Sequence, residues 1–306
     1  MSELLILIFI YINIKIIIFF ISKPYYLKFE NIFKFLNYQK KFKMLTSINL
    51  YKRTLKFISA CQMIPHPSKA HFGGEDSFFI SKNNSTIGVA DGVGGWADIP
   101  GSNAAKYSRD LMKFANENSN LSTSLEILNA AYSKMNKNLI GSTTALVVKI
   151  NGIFLDILNV GDSGCSLFRN GSSIFQTTDT LHGFNFPYQL GTGSKTLPKD
   201  GTFDKIEARP GDILISGSDG LWDNVFLNQI EKEIKISLKT SNSSSYHQFA
   251  QSLSKKLALI AHNNGLDRHF ISPFSQDAAK AGYRYIGGKL DDITVLTSLI
   301  VNDNEI

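Results

Sequence analysis

Cysteine is scarce in this sequence. The 306 residues include only two cysteines, Cys61 and Cys165. Two thiols cannot build a disulfide framework or a cysteine zinc site, and their scarcity fits a reducing compartment. Hydrophobic residues make up 43% of the chain and charged residues 19%. Those proportions are typical of a globular protein with a buried core, so they exclude a disordered or fibrous chain.

Acidic residues are nearly absent from the first 64 residues. That region contains ten Lys and Arg residues but only Glu3 and Glu30, which gives it a net charge of +8. Since the whole chain carries +6, residues 65–306 carry about −2. A nucleic-acid enzyme is expected to carry its positive charge on the folded domain, so we predict no nucleic-acid partner. We predict two regions, a hydrophobic and basic leader at 1–64 and a folded domain at 65–306.

The leader has two features of a targeting or anchoring segment. Residues 4–21 are almost wholly apolar and just long enough to span a bilayer, which indicates a membrane anchor. Residues 44–70 open at a second candidate start, Met44, and are basic, rich in Ser and Thr and free of Asp and Glu, as in mitochondrial presequences. Two alternatives stay open: that translation starts at Met44, and that 44–70 form a surface helix ending at a boundary marked by Pro65 and Pro67.

Short apolar runs and longer helical patterns follow residue 68. Runs rich in Val, Ile, Phe and Thr predict strands at 77–81, 86–90, 143–150, 153–160, 165–169, 212–216 and 293–300. Helical periodicity predicts helices at 102–118, 124–138, 227–238 and 246–263. The strands occur in adjacent groups separated by pairs of helices. This order favours an α+β layered sandwich over an alternating parallel sheet.

Aspartates recur at the ends of the predicted strands. Three segments share the design of an apolar strand, an Asp and a nearby Gly, at Asp91, Asp162 and Asp219, and a fourth places Asp291 and Asp292 directly before a strand. One such Asp is usually a turn residue, but four indicate carboxylates held by a rigid scaffold around one cleft. Oxygen ligands select Mg²⁺ or Mn²⁺, and two such ions suit phosphoryl hydrolysis.

Six motifs together resemble one enzyme family. In order they are GGEDSFF, VADGVGGWAD, GSTTALV, NVGDSG, GSDGLWDN and DDITVL, and they resemble the motifs of the type 2C metal-dependent serine/threonine protein phosphatases over residues 71–300. The segments DGVGGW and HGFNFPYQL resemble the mitochondrial branch. The resemblance implies a four-layer α-β-β-α sandwich with a binuclear metal site at one end of the central β-sandwich. It also implies hydrolysis of phosphoserine and phosphothreonine on proteins through a metal-bridging hydroxide.

The resemblance assigns roles to individual residues. The ligands of two Mn²⁺ or Mg²⁺ ions would be Asp91, the carbonyl of Gly92, Asp219 and Asp291, and the three aspartates would be the catalytic residues. Metal-bound waters would be held by Glu75 and Asp76. Asp162 together with Asp219 resembles the site of a third, weaker metal. Asp292 stands where many members have Asn, so we expect it to support the ligands instead of binding metal.

Two departures from the family pattern affect the predicted mechanism. Val93 replaces a histidine that protonates the leaving group in many members, and an aliphatic side chain cannot donate a proton. His71 replaces an arginine that binds phosphate. We therefore predict that His71 or Lys69 binds the substrate phosphate, with less geometric definition than a two-donor arginine gives.

Other functions stay open at this stage. One is a catalytically weak phosphoprotein-binding member of the same fold, although all three expected catalytic aspartates are present. Another is a metal-dependent hydrolase of small phosphate esters, and a third is a membrane scaffold built around residues 4–21. We expect a monomer that acts on phosphoproteins in the mitochondrial matrix or at the inner membrane. Membrane anchoring elsewhere is the alternative.

Overall fold

A computed structural model describes residues 54–96, 98–240 and 245–305. The apolar segment 4–21 and the start at Met44 lie outside the described residues. Among the helices that are described, none has the length and apolar character needed to cross a membrane. The unit that contains the two large sheets begins at Thr54, so it includes eleven residues that the sequence assigned to the leader.

The strands and helices of the described residues are numbered in chain order. The strands are β1 (Leu55–Ile64), β2 (Ser77–Ile80), β3 (Thr86–Ala90), β4 (Ser142–Thr143), β5 (Ala145–Asn151), β6 (Phe154–Val160), β7 (Gly164–Arg169), β8 (Ser172–Gln176), β9 (Leu181–Gly183), β10 (Phe186–Pro187), β11 (Leu190–Gly191), β12 (Thr202–Glu207), β13 (Ile213–Gly217) and β14 (Ile293–Asn302). The helices are α1 (Ala104–Glu117), α2 (Ser124–Ser133), α3 (Asp219–Trp222), α4 (Leu227–Thr240), α5 (Tyr246–Leu266) and α6 (Pro273–Lys280).

Two five-stranded antiparallel sheets form the centre of the fold. The first has the order β1-β14-β13-β7-β8 and the second the order β12-β6-β5-β3-β2. A core that includes Phe57, Leu146 and Leu296 fills the space between them. Helices α4 and α5 pack on the outer face of the first sheet, and α1 and α2 pack on the outer face of the second. The protein is therefore a four-layer α-β-β-α sandwich, as predicted.

The antiparallel pairing brings the acidic segments to one end of the sandwich. In the second sheet β3 and β6 each pair antiparallel with β5, so their carboxyl ends point the same way. In the first sheet β13 is antiparallel to β14, so the end of β13 lies beside the start of β14. The loops that follow β3, β6 and β13 and the turn before β14 therefore meet. These four segments carry the aspartates identified in the sequence.

Residues 55–64 form strand β1, whereas the sequence predicted a presequence or a surface helix in this segment. All ten residues of β1 pair with β14, and Leu55 and Phe57 are buried in the core between the sheets. Ile58 and Ala60 point to the other face and pack toward the core beneath α5. Because both faces are covered, the strand is apolar at odd and even positions, and a short run of this kind also fits a helical period.

The seven predicted strands and four predicted helices are confirmed, with shifts at their ends. Helix α2 begins after Thr123, whose side chain accepts a hydrogen bond from the Glu126 backbone while Glu126 bonds back to the Thr123 backbone. That reciprocal pair is a strong start signal. The helix ends at Ser133, five residues before the predicted end.

Candidate active site

One cavity lies where the four acidic segments meet. Its volume is about 650 Å³. The predicted site residues that line it are Lys69, Asp91, Gly92, Asp162, Asp219 and Asp291. Glu75, Asp76 and His71 are not among the lining residues. The remaining lining residues include the aliphatic and aromatic side chains Val93, Trp96, Ile99 and Phe186.

Asp91 is fixed through its backbone at the end of β3. Its carbonyl oxygen accepts hydrogen bonds from the Thr144 amide at 2.9 Å and the Thr143 hydroxyl at 2.7 Å. Its amide donates to the Thr144 hydroxyl at 3.1 Å. The next residue must be glycine, because a Cβ on Gly92 would lie 2.7 Å from the Glu75 carbonyl oxygen. The GSTTALV motif thus holds the Asp91 backbone, and the Asp91 side chain faces the cavity.

Asp219 begins the short helix α3 and is paired with a lysine. The Lys289 ammonium lies 2.5 Å from Asp219 Oδ2 and 2.7 Å from Asp223 Oδ2. The other oxygen of Asp219, Oδ1, is buried and has no hydrogen-bond partner among the described residues. Asp219 and Asp223 are four residues apart, so one turn of helix brings their side chains to the same face.

Asp291 and Asp292 have different surroundings although they are adjacent. Asp291 lines the cavity, whereas Asp292 is 2% exposed and lies beneath it. Asp292 accepts hydrogen bonds from the His66 amide at 2.7 Å, the Glu75 amide at 2.9 Å and the Lys69 ammonium at 3.0 Å. Asp292 therefore joins the segment before β2 to the segment before β14.

Lys69 connects several carboxylates at the edge of the cavity. Its ammonium lies 2.7 Å from Glu75 Oε2 and 3.6 Å from Asp291 Oδ1, in addition to its bond with Asp292. Glu75 therefore lies near the cavity, because it contacts Lys69, which lines the cavity. Asp76 is fully enclosed, and its Oδ2 accepts hydrogen bonds from the hydroxyls of Ser218 and Thr294, both at 2.7 Å.

His71 is not part of the cavity. It is exposed, and its ring lies edge-on to the neighbouring Phe72 at 4.7 Å. His71 and Lys69 belong to the 3₁₀ helix Pro67–Phe72. Because this helix has three residues per turn, side chains two positions apart point in different directions. Of the two predicted phosphate-binding residues, Lys69 lines the cavity and His71 does not.

The carboxyl groups hold more buried negative charge than the lysines neutralise. Burial, with the Asp219 carboxylate, raises the pKa of Asp91 well above its ordinary value. Burial also raises the pKa of Asp76 to about 7 and that of Asp291 to about 6. Asp219 differs because Lys289 and hydrogen bonds outweigh the effect of its burial and lower its pKa.

The donor set fits hard divalent cations. Every candidate ligand is an oxygen, which Mg²⁺ and Mn²⁺ prefer. Asp76 Oδ1 and Asp219 Oδ1 are buried without a hydrogen-bond partner in the described residues, and a bound cation or its water would satisfy them. No group of three or more His, Cys, Asp or Glu side chains in the described residues is arranged to hold an ion unaided. A bound ion therefore also needs the Gly92 carbonyl or water as ligands.

Some cavity residues were not identified from the sequence. Lys289, which lines the cavity, and its ion-pair partner Asp223 were missed, although Lys289 stands two residues before Asp291 and Asp223 lies in the motif GSDGLWDN. The spacing of Asp223 from Asp219 was the available signal. Trp96 also lines the cavity, and its indole nitrogen donates a hydrogen bond to the Ser142 hydroxyl at 2.5 Å.

Curated relatives show the family. The chain is 36% identical over 257 residues, 82% of its length, to probable protein phosphatase 2C 80 of Arabidopsis thaliana. It is 34% identical over 247 residues to the protein phosphatase PTC7 homolog of Homo sapiens, covering 74% of this chain and 79% of that protein. The chain belongs to the protein phosphatase 2C family. No model of a protein family matches the chain.

The chain spans only part of the length of some protein phosphatase 2C relatives. The chain spans 60% of the Arabidopsis protein and 54% of a second relative there, probable protein phosphatase 2C 55. Among solved structures, the photosystem II phosphatase PBCP is 31% identical with a TM-score of 0.71, covering 80% of this chain and 98% of that one. The catalytic domain of PstP, solved with two manganese ions, is 21% identical with a TM-score of 0.56 and shows the shared fold.

Proposed function

We propose that this chain is a Mn²⁺- or Mg²⁺-dependent phosphatase that hydrolyses phosphoserine and phosphothreonine on proteins. One observation carries the proposal: Asp91, Asp219 and Asp291 come from three separate segments and line one cavity with Gly92. Membership of the protein phosphatase 2C family supports the reaction class. The metal ions in the related PstP structure support the divalent cofactor.

The chain would hold two metal ions through the oxygens of Asp91, Asp219, Asp291 and the Gly92 carbonyl. When bound, these ions would activate a water for attack on phosphorus and stabilise the charge of an in-line displacement. Asp76 has one carboxylate oxygen free to orient a water, since Ser218 and Thr294 occupy the other. The backbone bonds from Thr143 and Thr144 fix the Asp91 loop before substrate binds, which limits reorganisation during the reaction.

Lys69 is the residue best placed to bind the substrate phosphate. Its ammonium lines the cavity and carries a full charge, because its carboxylate partners outweigh the cost of burial and raise its pKa. Val93 also lines the cavity, yet it cannot donate a proton to the leaving oxygen. Since His71 lies outside the cavity, the leaving group takes its proton from water. Turnover should therefore depend strongly on how readily the leaving group departs.

The rim of the cavity favours a protein substrate over a small phosphate ester. Phe186 and Ile99 line the cavity while remaining 54% and 45% exposed. Exposed apolar side chains at a binding cleft commonly contact a partner. We propose that they contact the residues on either side of the phosphorylated Ser or Thr.

The test is phosphate release from a phosphothreonine peptide by the full chain, with Mn²⁺ and with excess EDTA. Turnover should require the metal, and free phosphothreonine, which has the same leaving group as the peptide, should give a lower kcat/KM than the peptide. A catalytically weak binding module would bind the phosphopeptide without releasing phosphate. Undiminished turnover in chelator would refute the metal dependence, and equal use of the peptide and free phosphothreonine would refute the preference for proteins.

We propose a mitochondrial location for this protein. The basic, acid-poor leader and the DGVGGW and HGFNFPYQL segments support it. Because β1 begins at Leu55, the targeting information should lie before residue 54. A reporter fused to residues 1–53 should therefore reach mitochondria. A reporter that stays in the cytosol contradicts this location, and one that enters another membrane favours the anchor at residues 4–21.

A further inference from the structure

Lys289 contributes a fixed positive charge to the acidic end of the sandwich. Its ammonium contacts Asp219 and Asp223 at 2.5 and 2.7 Å and lies 3.9 Å from Asp291. The Lys289 side chain is 16% exposed. It also interacts electrostatically with Asp162, the fourth carboxylate on this side of the cavity.

Contacts fix both the backbone and the side-chain ammonium of Lys289. Asn224, which is fully buried, donates a hydrogen bond from its side-chain amide to the Lys289 carbonyl at 2.7 Å and accepts one from the Lys289 amide at 2.9 Å. The ammonium lies over the Phe274 ring at 5.1 Å from the ring centre. A surface lysine samples many rotamers, but these contacts hold Lys289 to one arrangement.

The two carboxylate oxygens of Asp219 have different surroundings. Its Oδ2 accepts the Lys289 ammonium, while its Oδ1 has no hydrogen-bond partner in the described residues. One oxygen is thus available to a metal ion, and the other is already neutralised by the chain. The resemblance discussed above placed a third, weaker metal between Asp162 and Asp219, on the side where Lys289 lies.

We propose that Lys289 takes the place of a third metal ion, so that the protein binds two divalent cations and supplies the third positive charge itself. This inference rests on the proposed metal-dependent function. A divalent cation bound to Asp219 and Asp223 would lie against the ammonium, and like charges at that distance exclude each other. Removing the ammonium should leave Asp162, Asp219 and Asp223 free to bind a further ion through carboxylate oxygens.

The experiment counts Mn²⁺ bound to the full chain by equilibrium dialysis up to millimolar free metal. Wild type should bind two ions, and Lys289→Met, which keeps a side chain of similar length without its charge, should bind three. Lys289→Arg keeps the charge and should bind two. The double variant Lys289→Met/Asp223→Asn should return to two, because the added site needs Asp223. Circular dichroism and thermal melting confirm that each variant is folded.

If the Lys289 variants do not fold, the number of Mn²⁺ ions bound to wild type can still overturn the inference. Three ions bound to wild type, with the third lost in Asp223→Asn, contradict it. Two ions in a folded Lys289→Met variant also contradict it. No bound ion in wild type would overturn the proposed metal-dependent function as well, so the two failures are distinguishable.

Discussion

At the scale of single residues, Asp91 and Asp292 show how surroundings decide the role of a carboxylate. The Asp91 side chain faces the cavity, and its backbone is held by Thr143 and Thr144. The Asp292 side chain instead accepts hydrogen bonds from two backbone amides and from Lys69. The same substitution, Asp to Asn, should therefore affect mainly turnover at position 91 and mainly stability at position 292.

Asp91→Asn should lower kcat by about 10²- to 10³-fold, because it removes several kcal/mol of metal-dependent transition-state stabilisation. Asp292→Asn should keep kcat within about tenfold of wild type and lower the free energy of unfolding by about 1–3 kcal/mol, the cost of a buried group that loses its partner. Phosphopeptide turnover at saturating Mn²⁺ and urea unfolding measure the two effects. Near-normal turnover in Asp91→Asn would show that the site is assigned to the wrong residues.

Lys69 and His71 give a second comparison at this scale. Lys69→Met should raise KM for a phosphopeptide by about 10- to 100-fold, since a hydrogen bond to a charged group contributes about 1.5–3 kcal/mol. His71→Ala should change kcat and KM by less than about twofold, because the His71 side chain lies outside the cavity. Steady-state kinetics of both variants test this difference. A large increase in KM for His71→Ala would restore the role predicted from sequence.

The sequence could not distinguish these two residues. His71 occupies the motif position of a phosphate-binding arginine, so alignment by spacing favours it. The direction of each side chain depends instead on the 3₁₀ helix Pro67–Phe72, which Gly73 caps with a φ of 85°. Lys289 was missed for a similar reason: the sequence around it gives no sign that Asn224, 65 residues earlier, holds its backbone. The aspartates were found because each lies within two residues of a strand end.

At the scale of elements, β1 is the strand to which the sequence assigned a different structure. Phe57 in β1 is fully buried, whereas Phe203 in β12 is 50% exposed. Phe57→Ala should therefore lower the free energy of unfolding by about 3–5 kcal/mol, and Phe203→Ala should change it by less than about 1 kcal/mol. Urea unfolding followed by circular dichroism measures both values. Equal small effects would mean that β1 is dispensable and that the domain begins near residue 65.

Local patterns predicted several other elements, although β8, β12 and α6 lie in segments for which the sequence predicted neither a strand nor a helix. The predicted strands at 86–90 and 293–300 became β3 and the greater part of β14, both apolar on both faces. In β1 the residues Leu55 and Ile58 fit a helix as well as a strand, and the neighbouring basic residues favoured a presequence. Only the long-range pairing with β14 resolves the ambiguity.

At the scale of the whole molecule, the buried carboxyls link stability to pH and metal. In the unfolded chain they ionise near about 3.9, but in the metal-free fold burial raises the pKa of Asp76 and Asp223 to about 7 and that of Asp291 to about 6. Between these values the folded state binds more protons than the unfolded state. This contribution therefore destabilises the metal-free protein increasingly as pH rises from about 4 to about 7.

Saturating Mn²⁺ should raise the melting temperature more at pH 8 than at pH 6, because the metal competes with protons for these carboxyls. At about 100 times the Kd, binding adds about 2.7 kcal/mol, or roughly 5 to 10 °C for a domain of this size. Thermal melting with Mn²⁺ and with EDTA at both pH values measures the gain. Asp91→Asn should show a smaller gain, and a gain that is equal at the two pH values would contradict the linkage.

The pairing of β1 with β14 also has a consequence for folding while the chain is being synthesised. Among the described residues, β14 is the only strand neighbour of β1, and it is the last strand to be translated. At about 5–20 residues per second, roughly 10 to 50 s separate the synthesis of the two strands. During that time the first strand of the domain emerges from the ribosome without its partner, and its apolar faces are open to other chains. Of the described strands, β1 is made first and therefore depends longest on protection from aggregation.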